Sequence, residues 1–360
     1  MILLVVALHS GLVYEKGIFS SFVWIVSDPA TNPVVQPLRI ILDIFIMPTL
    51  FFISGFLTPR SLRNRTAGAF IVTKLRRLML PWGIAVLTLI PLYKVIFLFS
   101  RHLPQQHVST YFHWSNGAWS QNWLWFLPVL FLFNLLYLAG SKTGIRFPDI
   151  SVKTAVIAVF ALGFIISISM DGLNLQGWTK TPLLDFQNER LLIYLMMFLL
   201  GAHCERHRVF DSKPDDDKRF RIILGTFWIP VLFYYFIHMQ WILESDQMII
   251  SEWAGTLLYW FSFHLSLLCL VYLMIRIFSV SLNKQGKYGR SLNRNAYGIY
   301  IVHTVVLGII AMFLMHTALP SLLRFITLTV TAFAVSHWLT GMFRWLTQWI
   351  FKRTETKVSS

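Results

Sequence analysis

The sequence consists of apolar runs of roughly 20 residues that follow one another along the whole chain, the length that a helix needs to cross a bilayer. Hydrophobic residues make up 56% of the 360 residues and charged residues only 13%. Both fractions lie outside the range that is typical of soluble domains. The sequence therefore predicts an all-α, polytopic integral membrane protein with about ten transmembrane helices.

The apolar runs give a set of predicted spans and one predicted domain. The first run is short, because Met1 to Tyr14 would cover only about 21 Å as a helix. We expect either that this helix starts within the membrane or that residues upstream of Met1 are missing. Residues 1–345 are predicted to form the membrane domain and 346–360 a cytoplasmic tail. The predicted spans are 1–14, 38–57, 80–99, 122–139, 152–170, 190–204, 220–238, 254–278, 295–315 and 321–343.

Basic residues fall in alternate connections between these runs. Of the 31 Lys and Arg residues, 24 lie in five such segments, and the positive-inside rule places these segments in the cytoplasm. Both termini are then cytoplasmic. The net charge of +15 is explained by topology, so no nucleic-acid partner is expected. The basic segments are 58–79, 140–153, 203–221, 276–294 and 344–360.

Motifs of several common protein classes are missing from the sequence. Cys204 and Cys269 have no pairing or ligand spacing, so neither a disulfide framework nor a metal site is predicted. The sequence lacks a Walker loop, a dinucleotide fingerprint and a GxSxG elbow. These absences argue against a nucleotide-driven pump and a serine hydrolase, and no permanently bound cofactor is expected.

Ionisable side chains within predicted spans are candidates for function, because their burial in a membrane is costly. His9 lies in the apolar run LLVVALHSGL, where it is either a catalytic group or a structural histidine with partners on other helices. Arg39 and Asp43 are four residues apart on one predicted helix, so they share a face. They are interpreted as a structural ion pair or as binding groups.

Three further segments combine polar and apolar residues. Ser54 lies beside a glycine in FFISGFL, a small-residue pattern that favours close helix packing. Lys74, Arg76 and Arg77 precede the third span, where they either set topology or bind phosphates. The segment NAYGIYIVH, residues 295–303, brings the polar groups of Asn295, Tyr300 and His303 into a span. Asn295 and Tyr300 either cap the helix and anchor it at the interface or belong to a site.

Six motifs, in this order, resemble the acyltransferase-3 family of membrane-bound acyltransferases. The resemblance covers most of the chain, and it is closest to single-domain members of the glucan succinyl transferase type. The motifs are VVALHS, FFISGFL, FIVTKLRRLMLPW, NWLWFLPVLF, LMMFLLGAH and NAYGIYIVH.

The resemblance implies transfer of an acyl group, acetyl or succinyl, from cytoplasmic acyl-CoA to a hydroxyl of an extracytoplasmic glycan or lipid-linked sugar. It also implies a multi-pass protein of the bacterial inner membrane, in contact with membrane lipid. Acyl-CoA, as acetyl-CoA or succinyl-CoA, is then a co-substrate. Neither the acyl group nor the acceptor follows from the sequence, which also leaves open whether the chain forms a homodimer.

The resemblance assigns roles to individual residues. His9 matches the first-span histidine of the family, expected to act as general base or transient acyl carrier, roles that suit an imidazole. Lys74 and Arg77 match a paired basic motif, with lysine in place of the usual arginine, and with Arg76 they are expected to bind the phosphates of acyl-CoA. The expected cavity or acceptor-site residues are Arg39, Asp43, Ser54, Trp125, Glu189, Tyr297, Tyr300 and His303.

Two other classes of function remain as alternatives. A transporter or flippase for an anionic glycan or lipid-linked sugar would use Arg39 and His9 as binding groups. A binding or assembly subunit would use its polar residues only to hold helices together.

Overall fold

A computed structural model of the protein describes residues 1–15, 23–113, 119–143, 149–210, 217–242, 251–281 and 286–358. Most of these residues are helical. A π-helical turn, Leu75–Met79, joins α3 to α4 without a break, and two 3₁₀ turns lie at Val108–Phe112 and Asn122–Trp125. The helices are α1 (Ile2–Gly11), α2 (Val35–Arg63), α3 (Ala67–Lys74), α4 (Leu80–Ser100), α5 (Phe126–Lys142), α6 (Val152–Gly172), α7 (Asn188–Arg206), α8 (Asp217–Thr226), α9 (Trp228–Ile242), α10 (Glu252–Ser281), α11 (Lys287–Met315) and α12 (Ser321–Val358).

Eight helical segments within the described residues are long and apolar enough to cross a membrane. The predicted fold class, an all-α polytopic membrane protein, is therefore confirmed. The short apolar α1 and the 19-residue α7 are not among the eight. The count of ten spans and the common side of the termini thus stay predictions.

The helices extend beyond several of the predicted spans. α2 includes the predicted span 38–57 but ends at Arg63, and α12 continues past 343 to Val358. Apolar content predicts only the part of a helix that lies in hydrocarbon, whereas backbone hydrogen bonding continues into polar ends. The predicted span 220–238 is divided between α8 and α9 at Phe227.

A small β-hairpin interrupts the helical pattern between α6 and α7. Strands β1 (Trp178–Lys180) and β2 (Asp185–Gln187) pair antiparallel, with Thr179 opposite Phe186. The buried Asp185 carboxylate accepts hydrogen bonds from the backbone N–H groups of Gln121 and Thr181. Burial raises the pKa of Asp185, and these two bonds partly offset that rise. No strand is predicted here from the sequence, because three-residue strands leave no clear periodic pattern.

The chain divides into two compact units that alternate along the sequence. Unit 1 comprises Met1–Arg39, Ala85–His113 and Lys284–Ser360. Unit 2 comprises Ile40–Ile84 and Trp114–Asn283. In unit 1, α1 packs against α11 and α12, whereas in unit 2 the pairs α6–α7 and α9–α10 pack together.

Two glycines allow α2 and α7 to touch backbone to backbone within unit 2. A Cβ atom at Gly55 would lie 1.9 Å from the Phe198 carbonyl oxygen, and one at Gly201 would lie 2.0 Å from the Phe52 carbonyl oxygen. These distances are far shorter than any allowed contact. The packing interpretation of FFISGFL is therefore confirmed for Gly55, and Gly201 supplies the reciprocal contact from LMMFLLGAH.

We expect Gly201→Ala to destabilise the protein by about 3 kcal/mol, because the new methyl group must push two helix backbones apart. The measurement is the thermal unfolding midpoint of the purified protein in detergent. Gly83→Ala in α4 is the matched control, since a Cβ atom there meets nothing within 4 Å. Equal midpoints for the two variants would contradict the close-packing account.

Candidate active site

His9 and His303 form a contacting pair in unit 1, although 294 residues separate them. His9 lies in the last turn of α1, and His303 lies in the middle of α11. The Nδ1 atom of His9 is 2.6 Å from the Nε2 atom of His303. The ring centroids are 4.9 Å apart and the ring planes are 2° from parallel, so the two nitrogens face each other edge to edge. The sequence named both residues as site candidates, and the structure brings them together.

Two backbone carbonyls of α11 determine the tautomer of His303. Its Nδ1 atom lies 2.8 Å from the Tyr300 oxygen and 3.2 Å from the Ile299 oxygen. Because a carbonyl oxygen only accepts hydrogen bonds, the Nδ1 atom must be the protonated nitrogen. In the neutral ring, the Nε2 atom of His303 is then an acceptor. Thr304 Oγ1, 3.2 Å from the Nε2 atom, can also donate to it.

The tautomer of His303 in turn determines that of His9. Since the Nε2 atom of His303 accepts, the Nδ1 atom of His9 donates across the 2.6 Å contact. The proton of a neutral His9 is thus on Nδ1, and its Nε2 atom has a free lone pair. An imidazole held in one tautomer by a hydrogen bond at the other nitrogen is the arrangement that general bases require.

The two histidines differ in exposure. His303 and Thr304 are completely buried, whereas His9 keeps part of its surface accessible. Of the two rings, only that of His9 can therefore be contacted from outside the protein.

A buried tryptophan forms one wall of the site. Trp24 lies with its ring centroid 4.9 Å from that of His9. The Arg101 guanidinium donates hydrogen bonds to the carbonyl oxygens of Trp24 and Ile25. The Tyr93 hydroxyl donates to the Val23 oxygen at 2.7 Å. These bonds to α4 and the residue after it hold the segment that contains Trp24.

An ion pair anchors the same segment to α12. The Nη1 atom of Arg324 is 2.9 Å from Asp28, and their side chains are 12% and 2% exposed. Asp28 also accepts the backbone N–H of Ala30. Arg324 makes further bonds to the carbonyl oxygens of Thr317 and Leu319. The charges are thus paired and hydrogen-bonded, as buried charges must be.

We expect Asp28→Ala to lower the free energy of unfolding by about 3–5 kcal/mol, because Arg324 would remain buried without its counter-charge. Chemical denaturation in mixed micelles measures the loss. The double variant Asp28→Ala with Arg324→Leu should recover much of it, since it buries no unpaired charge. A double variant that is less stable than Asp28→Ala would contradict this explanation.

The predicted pairing of Arg39 with Asp43 is wrong, since each residue has another partner. Arg39, in unit 1, donates to Glu15 at 2.6 Å. Its Cβ atom also packs against Gly11, which no larger residue could replace without a shift. The Nε atom of Arg39 is buried without a hydrogen-bond partner among the described residues. Four-residue spacing allows a pair on one helix but does not exclude a stronger partner from elsewhere in the chain.

Asp43, whose side chain is 32% exposed, belongs to a polar group in unit 2. Its carboxylate accepts a hydrogen bond from Arg190 at 2.7 Å. The Arg190 guanidinium lies 5.2 Å from the ring centroid of Phe263. The Tyr234 and Tyr259 hydroxyls are hydrogen-bonded to each other at 3.2 Å. The sequence analysis missed Arg190, although an arginine in the predicted span 190–204 met the criterion that selected His9.

The basic cluster Lys74, Arg76 and Arg77 lies at the π-helical turn of unit 2. Arg76 and Arg77 are exposed, and Lys74 is partly buried with its Nζ atom 5.2 Å from the Phe70 ring centroid. A π-turn widens the helix and often occurs at functional sites. The cluster is accessible to an anionic ligand.

The remaining candidates fall into both units. Ser54, Trp125 and Glu189 are in unit 2, whereas Tyr297 and Tyr300 are in unit 1. Trp125 stacks on Tyr194 with centroids 5.7 Å apart, and Glu189 accepts the Gly177 N–H at 3.0 Å. Tyr300 contributes its carbonyl oxygen to the His303 ring. Glu15, Trp24, Arg101 and Arg190 are structural members of these groups that the sequence analysis did not select.

Comparison with known proteins gives one match. A family model described as an acyltransferase domain, Acyl_transf_3, matches residues 1–341. Searches of curated proteins and of solved structures returned no match. The match covers His9 and His303 and almost the whole of the chain. The chain therefore belongs to the acyltransferase-3 family and is a membrane acyltransferase.

Proposed function

We propose that the protein transfers an acyl group, acetyl or succinyl, from cytoplasmic acyl-CoA to a hydroxyl of an extracytoplasmic glycan or lipid-linked sugar. The observation that carries this proposal is the 2.6 Å contact between His9 Nδ1 and His303 Nε2, which, with the α11 carbonyls, leaves the Nε2 atom of a neutral His9 unprotonated. An acyl transfer to a hydroxyl needs one such base, because a neutral hydroxyl is a weak nucleophile.

The proposed reaction balances at His9. The Nε2 atom takes the proton of the acceptor hydroxyl as its oxygen attacks the thioester carbonyl. The carbon–sulfur bond then breaks, and the leaving thiolate takes the proton from His9, which gives an ester and free coenzyme A. The imidazolium that forms in between donates through Nδ1 to His303. The alternative role of His9 as a transient acyl carrier needs the same lone pair. The Nε2 atom would then attack the thioester itself, release the coenzyme A thiolate and transfer the acyl group to the acceptor hydroxyl.

For the acyl-CoA donor, we assign the phosphates to Lys74, Arg76 and Arg77. The supporting observation is their accessibility in a segment that the positive-inside rule places in the cytoplasm. Arg76 and Arg77 can bind phosphate oxygens bidentately, whereas Lys74 supplies a point charge.

For the acceptor, we assign the polar residues next to the outer end of α1. Arg39 packs against Gly11, two residues beyond His9, and its buried Nε atom is a donor without a partner among the described residues. The Arg39 side chain is 17% exposed overall, so its guanidinium can donate to a sugar hydroxyl or carboxylate. Glu15, paired with Arg39, fixes the direction of the guanidinium.

The experiment is mass spectrometry of surface and periplasmic glycans from a bacterial host with and without the gene. We expect the deletion to remove one acyl mass, which also identifies the donor. Unchanged glycan masses would refute the proposed activity. Movement of a lipid-linked sugar across the membrane without any acyl donor would instead support the transporter alternative.

A further inference from the structure

A groove lies between the first turns of α11 and the later part of α12, within unit 1. Its volume is about 460 Å³. Ser291, Asn295 and His337 form its polar floor. Trp338, Met342 and Trp345 line its side. The groove residues differ from the His9–His303 pair, since His9 lies on α1 and His303 on later turns of α11.

Weak hydrogen bonds connect the polar floor. The two ring nitrogens of His337 lie 3.4 Å from Ser291 Oγ and 3.4 Å from Asn295 Nδ2. The Nη1 atom of Arg344 donates to the Asn295 side-chain oxygen at 3.2 Å and to the Arg294 carbonyl oxygen at 2.9 Å. Contacts of 3.4 Å lie beyond the usual hydrogen-bond distance, so the floor retains bonding capacity for a ligand.

Two indole side chains in the lining of the groove are exposed. Trp338 is 62% and Trp345 63% exposed, and both lie within the membrane-span candidate Ser321–Gln348. Arg344, on the same turns, belongs to a predicted cytoplasmic segment. Indole side chains next to a basic residue at the end of a span are typical of the membrane–water interface. The groove therefore opens at the level of lipid headgroups.

Basic side chains on α11 and α12 lie close to the groove in sequence. The sequence contains no Asp or Glu between Glu252 and Glu355. Lys287 and Arg290 are exposed on the first turns of α11. The two oxygens that Arg344 contacts are neutral, so neither compensates its charge. Arg344 does not line the groove itself but adjoins it through its bond to Asn295. A basic side chain beside a groove at the predicted cytoplasmic end of transmembrane helices suits the phosphate of an anionic lipid.

We propose that this groove binds the headgroup of one anionic phospholipid, with the phosphate at Arg344. Ser291 and His337 then meet the headgroup hydroxyls. The indoles of Trp338 and Trp345 flank the start of the acyl chains. This binding is independent of the proposed acyl transfer.

The test is a lipid titration of the purified, delipidated full-length protein, followed by native mass spectrometry. The probes are phosphatidylglycerol and phosphatidylcholine with identical acyl chains. We expect phosphatidylglycerol to bind more tightly, and Arg344→Gln to weaken it about fivefold, as expected for one basic residue at an anionic lipid. Arg344→Gln keeps a donor toward Asn295 and removes only the charge. Lys218→Ala, which removes an exposed charge from unit 2, is the matched control and should bind phosphatidylglycerol like the wild type.

Equal binding of the two lipids, or equal loss in Arg344→Gln and Lys218→Ala, would overturn the proposal. Trp338→Ala is a second, uncharged variant and should also weaken phosphatidylglycerol. Inorganic phosphate and coenzyme A are added as competitors. We expect neither to displace the lipid. Displacement by coenzyme A that depends on Arg344 would assign the groove to a nucleotide and refute the lipid.

Discussion

Acyl transfer should fall by about 10²- to 10⁴-fold in His9→Ala, the contribution that a positioned general base makes. The expected loss is in kcat, since His9 acts on the reacting atoms and not on the phosphates of the donor. If His9 instead carries the acyl group, His9→Ala should lower the transfer rate by at least as much. The measurement is release of free coenzyme A thiol, together with the mass of the acylated acceptor, by purified protein in detergent.

His107→Ala is the matched control for this substitution. His107 is an exposed histidine of unit 1, in the predicted outer loop, and it caps a 3₁₀ turn. Its replacement should leave transfer unchanged. Full activity in His9→Ala, or equal losses in the two variants, would refute the catalytic assignment of His9.

Replacement of His303 should give a loss of similar size, roughly 10²- to 10⁴-fold in His303→Leu, as expected when the group that holds a catalytic imidazole in one tautomer is removed. Leucine cannot accept the hydrogen bond of the His9 Nδ1 atom. His9 would then be free to turn and to change tautomer. The measurement is again kcat and KM for acyl-CoA.

His303→Gln distinguishes positioning from simple packing. A glutamine amide can donate to the α11 carbonyls and accept from His9 with its oxygen. We therefore expect His303→Gln to recover much of the kcat that His303→Leu loses, with KM little changed in both. Equal kcat values in the two variants would show that the hydrogen bond between the histidines is not used.

Much of the fold could be predicted from the sequence, because the bilayer imposes helix length and apolar content. The positions of the basic segments and the packing role of Gly55 could also be predicted, since each depends on local composition. The β-hairpin and the break at Phe227 were not, because three-residue strands and a one-residue interruption leave the average hydropathy almost unchanged.

The sequence predicts which residues belong to the candidate site but not which of them are in contact. His9 and His303 are conspicuous because each is an ionisable residue in an apolar run, but no local pattern joins residues that are 294 positions apart. The pairing of Arg39 was predicted wrongly for the same reason. Its partner Glu15 lies outside its helix, and helical spacing contains no information about such a contact. Trp24 and Arg101 gave no signal, because their role depends on which loop reaches His9.

Proteoliposomes provide the most direct measurement of the transfer reaction at His9. Labelled acyl-CoA is supplied on the side of the basic loops, and a glycan acceptor is enclosed on the other side. We predict that wild-type protein and His107→Ala label the enclosed glycan and that His9→Ala does not. Labelling of the glycan by His9→Ala at the wild-type rate would contradict the proposed reaction centre.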